Sequence, residues 1–146
     1  MLAARNVDRL KSAADELRSI ASSGADVHVQ PCDVTSETSV AETCAAAQSA
    51  GRLSMVVANA GFGSGGPIHL TSLDDWEGIL RTNLTGAFLT IKHSVPILSA
   101  NGGGSIVAIS SIAGVATHRF MTPYDVSKAG LEMLIRQTAD ELGCRN

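Results

Sequence analysis

No apolar run in this chain of 146 residues approaches the roughly 20 residues that a membrane-spanning helix needs, so a bilayer protein of that kind is not expected. Basic excess is missing as well. Eleven Lys and Arg stand against 14 Asp and Glu, a formal net charge of -3, which offers little to a nucleic-acid backbone. Cysteine is sparse: Cys32, Cys44 and Cys144 are odd in number and widely spaced, with no C-x-x-C. They read as reduced thiols of a cytosolic protein. His28, His69, His93 and His118 show no ligand spacing, so no metal site is expected. Charges as early as Arg5, Asp8, Arg9 and Lys11 are wrong for a signal peptide. There is no internal repeat and no low-complexity tract. What remains, 45% hydrophobic and 17% charged, suits one soluble α/β domain with enough apolar material for a core.

Periodicity supplies an order of elements. A helix is predicted over 7–22, with Leu10, Leu17 and Ile20 at helical spacing, Asp8 in its first turn and Gly24 closing it. A strand near the sheet edge is predicted over 26–32, where Val27 and Val29 alternate with polar neighbours. A small-residue helix over 36–50 ends at Gly51, and a short buried strand spans 54–58. Two abutting helical pieces fill 74–98, with Trp76, Ile79, Leu80, Leu84, Phe88 and Ile91 facing inward. Gly102 to Gly104 turn the chain into a strand over 105–110. Pro123 then starts a helix over 123–142, with Gly143 as its stop. Strands alternating with helices predict a parallel sheet covered on both faces.

Chemistry concentrates near the end. Tyr124, the single tyrosine, precedes Lys128 by four residues, and Ser111 lies thirteen residues before Tyr124. Residues at i and i+4 share a helix face. An ammonium beside a phenol stabilises the phenolate and brings proton exchange with an alcohol or carbonyl toward neutral pH. Ser111 ends an apolar run, which puts it at a strand's carboxyl end, where open α/β sheets hold ligands. A Tyr-x-x-x-Lys pair alone also arises by chance on a helix surface, and it is the serine and the flanking segments that favour chemistry. Ser110 points the other way if the strand persists and reads as structural.

These segments resemble the short-chain dehydrogenase/reductase family, in its compact, non-extended branch. ISSIAG followed by YDVSKAG is similar to the catalytic segment of that family, Asn59-Ala60-Gly61 to its turn after the fourth strand, TNLTGAF to the stretch carrying its tetrad asparagine, and Cys32-Asp33-Val34 to its adenine-side motif. The likeness runs over residues 1–146 without interruption. It implies a single partial NAD(P)-binding domain over 1–146, a Rossmann-like doubly wound parallel sheet truncated at both ends. The front strand and Gly-rich turn, roughly 30 residues, would precede Met1, and a substrate-covering loop would follow Asn146. The resemblance implies hydride transfer between NADP(H) and a ketone or secondary alcohol. Tyr124 would be proton donor and acceptor, and Lys128 would tune Tyr124 and bind the nicotinamide ribose. Ser111 would hold the substrate oxygen, and Asn83 would bind a water linking Lys128 to solvent. Asn83 could equally be a structural asparagine at a helix kink.

The expected cofactor contacts are Arg5, Asp33, Val34, Asn59, Ala60, Gly61, Tyr124 and Lys128. Where an NAD enzyme carries an acid at the end of the second strand, this chain has Ala3 and Ala4, then Arg5, which could pair with a 2'-phosphate. NADP(H) is therefore favoured over NAD(H), unless Arg5 is merely a solvated residue at a helix start. Asp33 could contact adenine or cap the next helix. The run from Gly61 to Gly66 fits G-x-G-x-x-G, but Pro67 to Leu70 separate it from the next helix, so it reads as a flexible loop at the mouth of the site rather than a dinucleotide fingerprint. Phe62, His118, Phe120 and Met121 are expected to line that mouth, with His118 a lesser candidate proton carrier. Helices 74–98 and 123–142 are the expected homo-oligomer surfaces. The alternative is an inactive fragment, or a non-catalytic interaction domain of the same fold. Truncation carries a structural expectation too: strand 26–32 would lack a hydrogen-bonded neighbour, unless it paired directly with 54–58, and strand 54–58 would show an open edge.

Overall fold

A computed structural model describes residues 1–21 and 25–143; Ser22, Gly24 and Cys144, named above, lie outside them. Strand β1 (Leu2–Ala4) leads into helix α1 (Val7–Ile20), whose N-terminus is capped by the Asn6 side chain accepting from Arg9 N. Strand β2 (Val29–Pro31) is followed by α2 (Glu37–Ala50), capped by Ser36. Strand β3 (Met55–Ala58), α3 (Leu73–Leu80), a π turn (Arg81–Thr85) and α4 (Gly86–Ala100) come next, then strand β4 (Ser105–Ala108) and α5 (Thr122–Gly143). Short 3-10 turns at Ile68–Leu70 and Ile112–Gly114 complete the order. The helix expected from Pro123 starts one residue earlier and includes Gly143.

The four strands form two parallel pairs. β1 pairs with β2, Ala3 opposite Gln30, and β3 pairs with β4, Val57 opposite Val107. This corrects the expectation that strand 26–32 would lack a neighbour: three residues, Leu2 to Ala4, are enough to hydrogen-bond it. The direct pairing of 26–32 with 54–58 does not form. Instead the unpaired edges of β1 and β3 face a common cavity of about 750 Å³, with Met1, Ala3 and Ala4 on one side and Met55 to Ala58 on the other. β3 and β4 are also shorter than the strands expected over 54–58 and 105–110.

Burial corrects two further expectations. β3 is not fully buried: Met55 is 60% and Val57 53% exposed, and Val107 on β4 and Ile109 just beyond it continue the same bare apolar face. Phe88 is 46% exposed rather than inward. A π turn uses more residues per turn than an α-helix, so the face that begins at Ile79 continues through Asn83, Ala87 and Ile91, and Phe88 is rotated outward. The inward row of α4, with Leu89 and Leu98, packs on α2 and its flank, where Cys32, Val40 and Cys44 form one cluster with Leu89. Burial pushes the Cys44 thiol pKa up, with the neighbouring Cys32 adding to it.

The turn into β4 depends on backbone freedom. Gly102 and Gly103 have φ of 86° and 106°, values that favour glycine. At Gly104 a Cβ would lie 2.5 Å from the Ser54 carbonyl oxygen, the same oxygen that accepts from Ser105 N at 2.9 Å. These three residues bring β4 alongside β3.

Candidate functional site

The carboxyl ends of β3 and β4 point toward the first turns of α5, and the chemistry-bearing residues gather there. Lys128, one turn into α5 from Tyr124, is 5% exposed. Its Nζ donates to the Ile109 carbonyl at 2.7 Å and lies 5.7 Å from the centre of the Tyr124 ring. No carboxylate pairs with it among the described residues. An ammonium has three donors, so two remain once Ile109 is served.

Ser111 lies three residues beyond β4, not at its last position, because the strand ends at Ala108. It caps the Ile112–Gly114 turn, accepting from Ala113 N at 3.2 Å, and its hydroxyl proton stays available to a ligand oxygen. Ser110, just before it, donates to Glu132 at 3.1 Å, in keeping with a structural role.

Asn83 sits in the π turn and is 1% exposed. Its Nδ2 donates to the Phe62 carbonyl at 2.8 Å and to Ser127 Oγ at 2.9 Å, while Oδ1 accepts from Phe62 N at 3.0 Å. Its amide protons are fully used in clamping the turn that follows β3, and one Oδ1 lone pair is left. Ser127 is a residue the sequence reading passed over. It is fully buried and donates to the Tyr124 carbonyl at 2.7 Å, so its oxygen can only accept from Asn83, which fixes which way the amide points. A buried serine just before Lys128 gives no signal in sequence until its partners are seen.

The glycine run corrects one reading and supports another. It does not open a helix, as the dinucleotide fingerprint would require. Nor does it hang loose at the mouth. A Cβ at Gly63 would lie 2.9 Å from Tyr124 Cδ2 and 3.2 Å from Met121 Cε. At Gly65 it would meet Met121 Sδ at 3.2 Å and the Phe120 carbonyl at 3.3 Å, and Gly66 N donates to that carbonyl at 2.7 Å. Absent side chains let this loop lie directly on the start of α5.

Asn59, Ala60 and Gly61 follow β3 and line the large cavity with Ala3, Ala4, Arg5, Asp33 and Val34. Asp33 is held below the usual carboxylate range chiefly by the Thr35 backbone N–H and then the Thr35 hydroxyl, with Arg5 and Arg81 contributing through their charge. Those hydrogen bonds, 2.9 and 2.8 Å to Oδ1, make a local turn rather than the helix cap considered for Asp33, a role that Ser36 fills. Arg5 forms no ion pair among the described residues. Tyr124 and Lys128 do not line this cavity; Lys128 meets it at Gly61, where a Cβ would lie 3.2 Å from Asn83 Oδ1 and 3.7 Å from Lys128 Nζ. Among the described residues no group of three or more His, Cys, Asp or Glu could hold a metal ion, and no helix is long and apolar enough to cross a membrane.

The site thus sets a phenol and a buried ammonium at the carboxyl ends of a parallel strand pair. The family model for short chain dehydrogenase matches residues 1–146. The chain belongs to that family. It is 37% identical over 120 residues to trans-4-hydroxycyclohexanecarboxylate dehydrogenase of Sinomonas cyclohexanicum, covering 82% of this chain and 45% of that protein. A metagenomic short-chain oxidoreductase in complex with NADP superposes with a TM-score of 0.88 at 30% identity, over 97% of this chain and 63% of that one. A Burkholderia phymatum short chain dehydrogenase/reductase in complex with NAD gives 0.92 at 28% identity, over 99% and 51%. The chain spans about half the length of the curated relatives it matches.

Proposed function

We propose that this chain carries the catalytic centre of an NADP(H)-dependent oxidoreductase acting on a ketone or secondary alcohol. The observation that carries this reading is Lys128. A buried ammonium without a counter-charge is costly, yet it is held beside the one tyrosine with donors to spare. A bound nicotinamide nucleotide supplies the hydride. Tyr124 gives the proton to the carbonyl oxygen in reduction and takes it back in oxidation. Lys128 turns its free donors to the phenol oxygen and the ribose hydroxyls. Ser111 donates to the substrate oxygen and stabilises the charge developing there. Asn83 holds the Phe62 turn and leaves one lone pair for a water linking Lys128 to solvent.

The residues on the cavity suit a nucleotide. Small Ala3 and Ala4 leave room for a ribose, and Arg5, without an ion pair among the described residues, supports a 2'-phosphate and so NADP(H) over NAD(H). Asp33, with Oδ1 engaged by Thr35, offers Oδ2 to an adenine amino group beside Val34, and Asn59 to Gly61 approach the nicotinamide side. The relative that acts on a hydroxycyclohexanecarboxylate makes cyclic secondary alcohols the first substrates to try. Exposed Phe88, Val126 and Met133 on α4 and α5 support homo-oligomer contacts through helices 74–98 and 123–142, and two free buried cysteines suit the cytoplasm.

Tyr124→Phe tests this. We expect turnover of a cyclic alcohol to fall at least about 100-fold, the scale of a lost general acid–base group, with NADPH binding by fluorescence retained. Unchanged turnover would remove the reading. A second reading, a non-catalytic interaction domain, is favoured by the bare face of Met55, Val57, Val107 and Ile109; it predicts that Tyr124→Phe changes nothing while partner or self-association survives.

A further inference from the structure

Asp125 follows Tyr124 in the first turn of α5, where an acid ordinarily interacts with the helix dipole for little energy. Here its carboxylate reaches back over the chain. Oδ2 accepts from the His118 backbone N–H at 2.7 Å. Oδ1 is buried and makes no hydrogen bond, yet it lies 3.4 Å from His118 Nδ1. A buried carboxylate oxygen without a donor is costly, and the group facing it is the imidazole. Its Nδ1 relieves that cost only by carrying the proton.

The segment held this way is under strain. Met121 N donates to the His118 carbonyl at 3.1 Å, closing a reversal over 118–121, and Phe120 within it has φ of 68°. For a non-glycine aromatic that conformation persists only when its surroundings hold it. The neighbouring Arg119 guanidinium packs over the Phe120 ring, 4.8 Å from its centre, and makes no ion pair among the described residues. The same reversal supports the glycine loop: the Phe120 carbonyl takes Gly66 N, and Met121 lies against Gly63 and Gly65. Gly63 in turn lies against the Tyr124 ring.

We propose that Asp125 is a positioning residue that, through His118 held in its Nδ1–H tautomer, latches the 118–121 reversal and thereby seats the glycine loop on Tyr124. The inference rests on the proton-transfer role proposed for Tyr124. It adds that the substrate side of the site is shaped by a carboxylate–imidazole pair that touches neither substrate nor cofactor.

The test is ¹⁵N NMR of the chain at about pH 8, above the ordinary imidazole range near 6.5. His118 is expected as the Nδ1–H tautomer. In Asp125→Asn the amide oxygen stays with the His118 N–H, so the amide nitrogen now donates to Nδ1 and the ring switches to Nε2–H. A carboxylate that served only the helix dipole would leave the tautomer unmoved. Hydrogen exchange at the Gly66 amide is expected to quicken about tenfold in Asp125→Ala, as a local opening that has lost a charge-assisted hydrogen bond. In the same variant kcat/KM for the alcohol should fall about tenfold through misplacement of the site, with KM for the nucleotide unchanged. Wild-type Nε2–H, or unaltered Gly66 exchange in a variant that keeps its helical circular dichroism, would overturn the latch. If the alanine variant does not fold, the tautomer switch in Asp125→Asn decides alone. The NMR readouts need no turnover, so their failure leaves the Tyr124 chemistry standing, and an active Tyr124→Phe would sink that chemistry while leaving the latch.

Discussion

The half of the chain built on β1 and β2 and the half built on β3 and β4 use the same parallel pairing but hold themselves together differently. Around β3 and β4, polar groups close on one another: buried Asn83 and Ser127, with the Phe62 backbone and the Tyr124 carbonyl, form a chain of hydrogen bonds from 2.7 to 3.0 Å. Around β1 and β2, the strands are three residues each, and Ile20 on α1 is 75% exposed and Leu17 38%. There the fixed points are local, such as the Asn6 and Ser36 caps and the Asp33–Thr35 turn. The difference teaches that the geometry proposed to react is internally determined, whereas the side proposed to bind the nucleotide takes its support from one neighbouring strand.

Breaking the internal network should have the largest effect. Asn83→Ala leaves the Phe62 N–H and carbonyl and Ser127 Oγ without their partner. Its expected cost is about 2 kcal/mol, since a buried orphaned group costs about 1–3 and Ser127 is the fully buried one of the three, measurable by urea unfolding. Amides of the β3–β4 half should then exchange as fast as those of the β1–β2 half; a variant that keeps the contrast would show that the network is not its source. Gly63→Ala sharpens the comparison without touching a hydrogen bond. The new methyl would sit within 2.9 Å of the Tyr124 ring, so either loop or ring must shift. Turnover should fall up to about 100-fold, as small misplacements can, while the unfolding midpoint changes little.

The smallest effect belongs to the other half. The Thr35 hydroxyl helps hold the Asp33 pKa below its ordinary 3.8. A lowered carboxylate contributes stability that is present above that ordinary value and is lost as pH falls through the lower folded one. Thr35→Val should therefore lessen stability slightly at neutral pH and flatten its decline below pH 3.8, since less of the shift remains to be lost. Equal acid unfolding profiles would show that the backbone N–H of Thr35 carries the whole effect.

Most of the helices were legible because their signals are local. Asn6, Ser36 and Ser72 each accept a hydrogen bond from a backbone N–H three residues on, and such caps are readable from residue type and spacing. The shared helix of Tyr124 and Lys128 was legible for the same reason. What escaped depended on distant partners. The pairing of Leu2–Ala4 with Val29–Pro31 could not be weighed from three residues of apolar character. The exposure of Phe88 follows from a π turn that no residue type announces, and the bareness of Met55 and Val57 from what does not pack on them. Ser127 looked like filler beside Lys128, since its meaning lies in Asn83, forty-four residues earlier.

The glycine loop carries a consequence for how such a site can drift. A stretch with almost no side chains has no shape of its own; it is a casting, and the mould is the surface it lies against. Exchanging Met121 would therefore recontour Gly63 to Gly65 without altering a letter of that loop. The contour of that loop is written in one segment and expressed in another.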